Sequence, residues 1–94
     1  MSEREQLQNT IVEYLENNPR WTAPYGVLAG LSKLPNGPGK FRTVTFGVAR
    51  YLDATIYIWS PTKLTVRAQG GLSPKIDGGT WHSWEELKND LDNL

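Results

Sequence analysis

The chain of 94 residues contains no cysteine, which excludes disulfides, thiolate catalysis and zinc sites built from cysteine. It has a single histidine, His82, with no second ligand at a spacing that suits a metal, so we expect no metal site. No stretch approaches about 18 consecutive apolar residues, and the N-terminus lacks the apolar core of a signal peptide. We therefore expect a soluble, cytoplasmic protein that does not interact with membranes.

The sequence also lacks a recognisable catalytic set. Neither Ser60 nor Ser83 has a candidate base nearby in sequence, and we expect His82 to help begin the helix that follows it. The segment PNGPGK, residues 35–40, is not a phosphate-binding loop, because Phe41 occupies the position of the required hydroxyl residue. We therefore predict that the protein is not an enzyme and has no cofactor.

There is no net charge of either sign, but the charges are segregated along the chain. Residues 1–18 carry one base and four acids, and residues 81–94 carry the same numbers, so each end has a net charge of −3. Residues 19–80 carry eight bases and two acids, a net charge of +6. Such a basic middle can form a patch that attracts nucleic acid, although small domains also segregate charge by chance.

The size and composition indicate one small folded domain spanning residues 1–94. Only 38% of residues are hydrophobic, but ten are aromatic and four of these are tryptophan, which gives a large buried area per residue. We predict an α+β domain with N-terminal helices, a β-hairpin or three-stranded antiparallel sheet, and a C-terminal helix.

Helix signals stand at both ends of the chain. SERE, residues 2–5, fits a capping box, an apolar stripe follows, and NNP at residues 17–19 ends the helix. A second short helix is predicted in RWTAPYGVLAGLSKL, residues 20–34, where Thr22 is the cap and Tyr25, Leu28 and Leu31 face inward. SWEE, residues 83–86, is another capping box, and it begins a C-terminal helix that extends to about Asn93.

The clearest β signal is a hairpin. TIYIWS, residues 55–60, and KLTVRAQ, residues 63–69, alternate apolar with polar or aromatic side chains and are rich in β-branched residues. SPT, residues 60–62, is typical of a tight turn, because Pro61 presets the backbone.

The stretch RTVTFGVARYLDA, residues 42–54, partly fits both the periodicity of a helix and the alternation of a strand. As a helix, Phe41, Val44, Val48 and Leu52 share one apolar face along the whole stretch. As a strand, the alternation holds only from Thr43 to Val48, and a turn would be needed in a segment without Gly, Pro or Asn. The helical interpretation is narrowly favoured, and the strand stays open.

With a helix there, the order helix, helix, helix, hairpin, helix resembles the winged helix-turn-helix domains over residues 3–69. The resemblance implies a DNA-binding, regulatory domain whose third helix reads the major groove while the hairpin contacts phosphates. It implies that Arg42, Thr43, Phe46 and Arg50 point outward from that helix and that Lys63 and Arg67 lie on the wing. With Lys40 of the basic segment, the predicted nucleic-acid site is Lys40, Arg42, Thr43, Phe46, Arg50, Lys63 and Arg67.

Two alternatives accompany this hypothesis. If residues 42–54 are a strand, Tyr57 and Trp59 can stand on an open sheet face beside Lys63 and Arg67, where aromatics stack unpaired nucleotides. Such aromatics are more often core or cross-strand partners. The abundant aromatics and the zero net charge also fit a protein-interaction module, such as a small inhibitor or adaptor that docks on a larger macromolecular machine.

Overall fold

A computed structural model shows an α+β domain. Its described residues form a helix, a five-stranded meander and a second helix, in that order. The structure describes residues 3–18, 27–33, 40–49, 52–68 and 76–93. All neighbouring strands are antiparallel, and their order in the sheet is their order in the chain. The elements are α1 (Glu3–Glu16), β1 (Leu28–Lys33), β2 (Lys40–Ala49), β3 (Leu52–Ser60), β4 (Lys63–Ala68), β5 (Thr80–Trp81) and α2 (Trp84–Asp92).

Both terminal helices are confirmed, and a local signal explains where α2 begins. The apolar stripe of α1 buries Ile11 and Leu15. The hydroxyl of Ser83 accepts a hydrogen bond from the Glu86 amide at 3.2 Å and caps α2. The Glu86 carboxylate accepts in turn from the His82 amide at 2.9 Å, one residue before the cap. The predicted cap of α1 at Ser2 lies outside the described residues.

Of the stretch at residues 41–53, residues 41–49 belong to β2 and residues 52–53 to β3, so the favoured helical prediction is wrong. The β2 strand continues to Ala49 and pairs with β1 on one side and β3 on the other. The alternation buries Val44 and Phe46 and directs Thr43 and Thr45 to the opposite face. Pairing on both edges and the β-branched residues outweigh a helical face that has no partner of its own.

The prediction of a second helix at residues 20–34 is also wrong for the residues that the structure describes, because Leu28–Lys33 forms β1. Leu28 is 60% exposed and Leu31 50% exposed, so neither is buried as the helical prediction required. Gly30 lies opposite Thr43, and a Cβ at this position would collide with the Thr43 hydroxyl. Glycine at this position therefore leaves room for the Thr43 hydroxyl between β1 and β2. The predicted cap Thr22 and Tyr25 lie outside the described residues.

The predicted hairpin is confirmed as β3 and β4. Ser60 pairs with Lys63 across a turn at residues 61–62, and the Thr62 amide donates to the Ser60 hydroxyl at 3.2 Å. In this register Ile56 lies opposite Val66, and Tyr57 lies opposite Thr65. The hairpin is therefore apolar on one face and polar or aromatic on the other.

One face of the sheet carries the core. The helix α1 lies against β1, β2 and β3, and the buried side chains of α2 belong to the same apolar cluster. Because both described helices contribute to this face, the opposite face of β2, β3 and β4 is where a binding site can lie. The buried apolar residues are Ile11, Leu15, Val44, Phe46, Ala54, Ile56, Ile58, Leu64, Val66, Ala68, Ile76, Trp81, Trp84, Leu87 and Leu91.

Candidate nucleic-acid interface

The face of the sheet opposite the helices carries hydroxyl, aromatic and cationic side chains, and we call it the open face. Its side chains alternate with the core residues along three consecutive strands, because successive residues of a strand point to opposite sides. Most of them are half-buried, whereas Lys63 and Arg67 are exposed. The open face consists of Thr43 and Thr45 of β2, Thr55, Tyr57 and Trp59 of β3, and Lys63, Thr65 and Arg67 of β4.

Two aromatic rings follow one another along β3 at the centre of the open face. The ring centroids of Tyr57 and Trp59 are 6.4 Å apart, and the ring planes are inclined by 23°. The indole Nε1–H of Trp59 donates to the Thr65 hydroxyl on β4 at 2.8 Å. This bond fixes the orientation of the Trp59 indole before any ligand arrives.

Two cations flank the aromatic pair on β4. The Nζ of Lys63 lies 5.8 Å from the centre of the Trp59 ring, within the range of a cation–π contact. The side chain of Arg67 is 79% exposed, and its Nε is 4.0 Å from Asp77 Oδ1. An ion pair so long and so exposed contributes little energy, so a ligand anion can compete for Arg67. The two residues are four apart, which separates them by about 13 Å along an extended strand.

A cleft of about 310 Å³ opens between these side chains. It is lined by Tyr57, Trp59, Thr65 and Arg67, so it combines two ring faces, one hydroxyl and one guanidinium. On the neighbouring strands, the hydroxyls of Thr45 and Thr55 are 3.1 Å apart and hydrogen-bonded to each other. The open face can therefore offer stacking surfaces and cations to a flat, negatively charged ligand.

Three of the seven predicted site residues lie on this face: Thr43, Lys63 and Arg67. Arg42 lies on the helix side instead, where its Nη1 donates to Gln8 Oε1 at 3.0 Å and its Nη2 is 3.2 Å from Glu5 Oε2. Its charge is thus paired with a carboxylate of α1. The structure places Arg42 in the contact between helix and sheet, on the other side from the two exposed cations.

Phe46 is 1% exposed, so the prediction that it points outward is wrong. In β2 it lies on the same side as Val44, and both belong to the core cluster. Lys40 begins β2, but its side chain lies outside what the structure describes, and Arg50 is outside the described residues altogether. The sequence prediction therefore grouped residues that the strand separates between two faces.

Sequence reasoning missed two residues that organise this region. Gln8 is 4% exposed, and its Nε2 donates to the backbone carbonyls of Gly30 at 2.8 Å and Thr43 at 3.0 Å. It precedes Ile11 by three positions and Leu15 by seven, so helical spacing could have placed it on the buried stripe. Thr65, which orients Trp59, could have been found from the alternation along β4.

A second concavity, of about 490 Å³, lies between the helices and carries both an acid and a base, Glu13 and Lys88. Beside it, the Tyr14 hydroxyl donates to Asp92, and the rings of Tyr14 and Trp84 meet edge to face. These contacts join α1 to α2. Within the described ranges, no group of three potential ligands could hold a metal ion, and no helix is long and apolar enough to cross a membrane.

A scan of the chain against models of known protein families gives no match. Comparisons with curated proteins and with solved structures give none either.

Proposed function

We propose that this protein binds single-stranded nucleic acid on the open face of its sheet. The observation that carries the proposal is the nearly parallel pair Tyr57 and Trp59, fixed by Thr65 and flanked by Lys63 and Arg67. Aromatic rings that stack bases, beside cations that neutralise phosphates, are the usual elements of single-strand recognition. The partner is nucleic acid, as the basic middle segment also suggests. The proposed contact surface is a face of the sheet, whereas the sequence had favoured a helix.

The aromatic pair favours a single strand over a duplex. The faces of duplex bases are covered by their neighbours, and only their edges are accessible in the grooves. The rings of Tyr57 and Trp59 offer faces, which only an unstacked base can cover. Each base that stacks on an aromatic side chain contributes about 1–3 kcal/mol to binding. These two rings should therefore contribute more to the binding of a single strand than to that of a duplex.

The two cations predict a measurable salt dependence. For single strands, each neutralised phosphate contributes about −0.7 to the slope of log K against log salt concentration. Because Lys63 and Arg67 can neutralise at most two phosphates, the slope should be no steeper than about −1.4. That is a shallow dependence, as expected for a domain with zero net charge.

Fluorescence anisotropy with labelled oligonucleotides tests the proposal. We expect single strands of about 12 nucleotides to bind more tightly than the matched duplex at about 50 mM salt. Replacing Trp59 by alanine should weaken binding about 5- to 150-fold, the equivalent of 1–3 kcal/mol of stacking. Because Trp59 is half-buried and outside the core cluster, the variant should fold, and circular dichroism checks this.

Lys88 provides a matched control for Lys63. Its Nζ is 5.7 Å from the Tyr14 ring, so both lysines lie over an aromatic ring, but Lys88 is on α2. Lys63→Ala should lower both the affinity and the salt slope, and Lys88→Ala should change neither. No binding of any single strand at about 50 mM salt, or equal losses in the two lysine variants, would overturn the proposal.

A protein-interaction module is the second candidate, and one observation favours it. Leu28 and Leu31 are the large hydrophobic side chains exposed in the described part of the chain, and both lie on β1. Among the described strands, β1 pairs with β2 alone and forms an edge of the sheet. A defined protein retained from a nuclease-treated extract by the parent chain, and lost on Leu28→Lys, would favour this candidate.

A further inference from the structure

We propose that the cleft beside Tyr57 and Trp59 holds one nucleobase, and that Arg67 selects guanine. This inference rests on the proposed function and names the ligand of the same site. The cleft of about 310 Å³ lies at the lower limit of small-molecule sites, which run from about 300 to 1,000 Å³. It therefore suits one ring system better than a run of bases.

The two aromatic rings give one surface on which a single base can stack. Aromatic rings in direct contact have centroids about 4.5–7 Å apart. The centroids of Tyr57 and Trp59 are 6.4 Å apart with an inclination of 23°, so the two rings are stacked on each other. A base in the cleft can therefore cover only the ring surface that the pair turns towards the cleft, which suits one base.

The hydrogen bond of Trp59 makes one side of this site rigid. Its Nε1–H is bonded to Thr65 at 2.8 Å, which holds the indole over β4. A preorganised stacking surface reduces the ordering cost that accompanies binding. The Thr65 hydroxyl is thereby used to position the ring, and the guanidinium of Arg67 supplies the exposed donors of the cleft lining.

Arg67 can distinguish between bases because its donors form a fixed fork. Guanine presents two adjacent acceptors, O6 and N7, which an arginine can bind with two hydrogen bonds, whereas adenine presents a donor and an acceptor on that edge. The competing carboxylate oxygen of Asp77 is 4.0 Å from Arg67 Nε and accepts a bond from the Ala68 amide at 2.9 Å. Arg67 can therefore turn towards a base in the cleft.

Lys63 has a different role at the other end of the site. Its Nζ lies over the Trp59 ring, where a phosphate attached to a nucleotide bound in the cleft can approach it. A lysine that contacts phosphate strengthens the binding of every nucleotide alike, whereas an arginine that contacts a base edge changes the order of preference. The two cations should therefore give separable effects.

Titration of the full chain with guanosine, adenosine, cytidine and uridine monophosphates tests the inference, with the Trp59 indole N–H resonance as the readout. We expect GMP to bind with a dissociation constant near the millimolar range and about tenfold or more tightly than the others. Arg67→Ala should make GMP and AMP bind equally. Lys63→Ala should weaken all four about equally, and Tyr57→Leu should remove the GMP response.

The two proposals fail in different ways. If labelled oligonucleotides do not bind, the proposed function itself is overturned. If oligonucleotides bind but GMP does not shift the Trp59 resonance, or shifts it no more than AMP does, only the single-base inference is overturned. An unchanged preference for GMP in Arg67→Ala also overturns the assignment of Arg67 as the selecting residue.

Discussion

Replacing Gln8 by leucine should destabilise the domain without affecting the open face. Gln8 is buried between α1 and the sheet, where its amide nitrogen donates to the carbonyls of Gly30 and Thr43 and its oxygen accepts from Arg42. Leucine has a similar size but can neither donate nor accept a hydrogen bond. The substitution therefore removes three contacts between helix and sheet and creates little empty space.

The size of the effect follows from those contacts. An internal hydrogen bond contributes a net 0.5–1.5 kcal/mol, so the two bonds to backbone carbonyls contribute about 1–3 kcal/mol together. The bond from Arg42 adds to this loss, and the buried leucine side chain offsets part of it. We expect the free energy of unfolding to fall by about 1–3 kcal/mol, a large share of the 5–15 kcal/mol typical of a domain.

Urea denaturation of Gln8→Leu and of the control Gln6→Leu measures this difference. Gln6 is exposed on the same helix, so its replacement should change stability by no more than about 0.5 kcal/mol. The midpoint of Gln8→Leu should fall while the slope stays constant, as for a change in stability alone. Equal midpoints for the two variants would refute the reasoning.

The contacts of Arg42 with Gln8 and Glu5 also lead to a test of its role, either in binding nucleic acid or in joining the helix to the sheet. Arg42→Leu should lower stability and, measured on the folded protein, leave oligonucleotide affinity within about twofold, because Arg42 is paired with Glu5 on the helix side. Phe46→Ala should destabilise by about 3–5 kcal/mol in denaturation experiments, since it empties a fully buried site. Ser83→Ala should cost about 1 kcal/mol through loss of the α2 cap, visible as a lower thermal midpoint. Gly78 has a φ of 76°, so Gly78→Ala should cost about 1–2 kcal/mol in the same assay, and a neutral result would contradict the assigned strain.

Signals that act over a few residues were read correctly from the sequence. The SWEE capping box begins α2 and SPT connects the strands of the hairpin, because each acts through hydrogen bonds or backbone restraints within three or four positions. The helix α1 ends at Glu16, directly before NNP, whose Pro19 lies outside the described residues. The α+β class followed from these elements together.

The stretch at residues 41–53 could not be decided in this way. Its apolar residues fit a helical face and, in part, an alternating strand, and only the pairing of β2 with β1 and β3 selects between them. That pairing brings Gly30, a residue expected in a helix, against Thr43 of β2. Contacts so distant in sequence leave no local pattern, which is why β1 was also mistaken for a helix.

The candidate site shows the same division. The sequence by itself determined the basic middle segment, the alternation in the hairpin and hence that Tyr57, Trp59, Lys63 and Arg67 share one side of it, because successive strand residues point to opposite faces. Only the tertiary structure decided which side the helices cover. By packing α1 and α2 against the apolar face, it buried Phe46, paired Arg42 with Glu5 and left the aromatic pair on the opposite face.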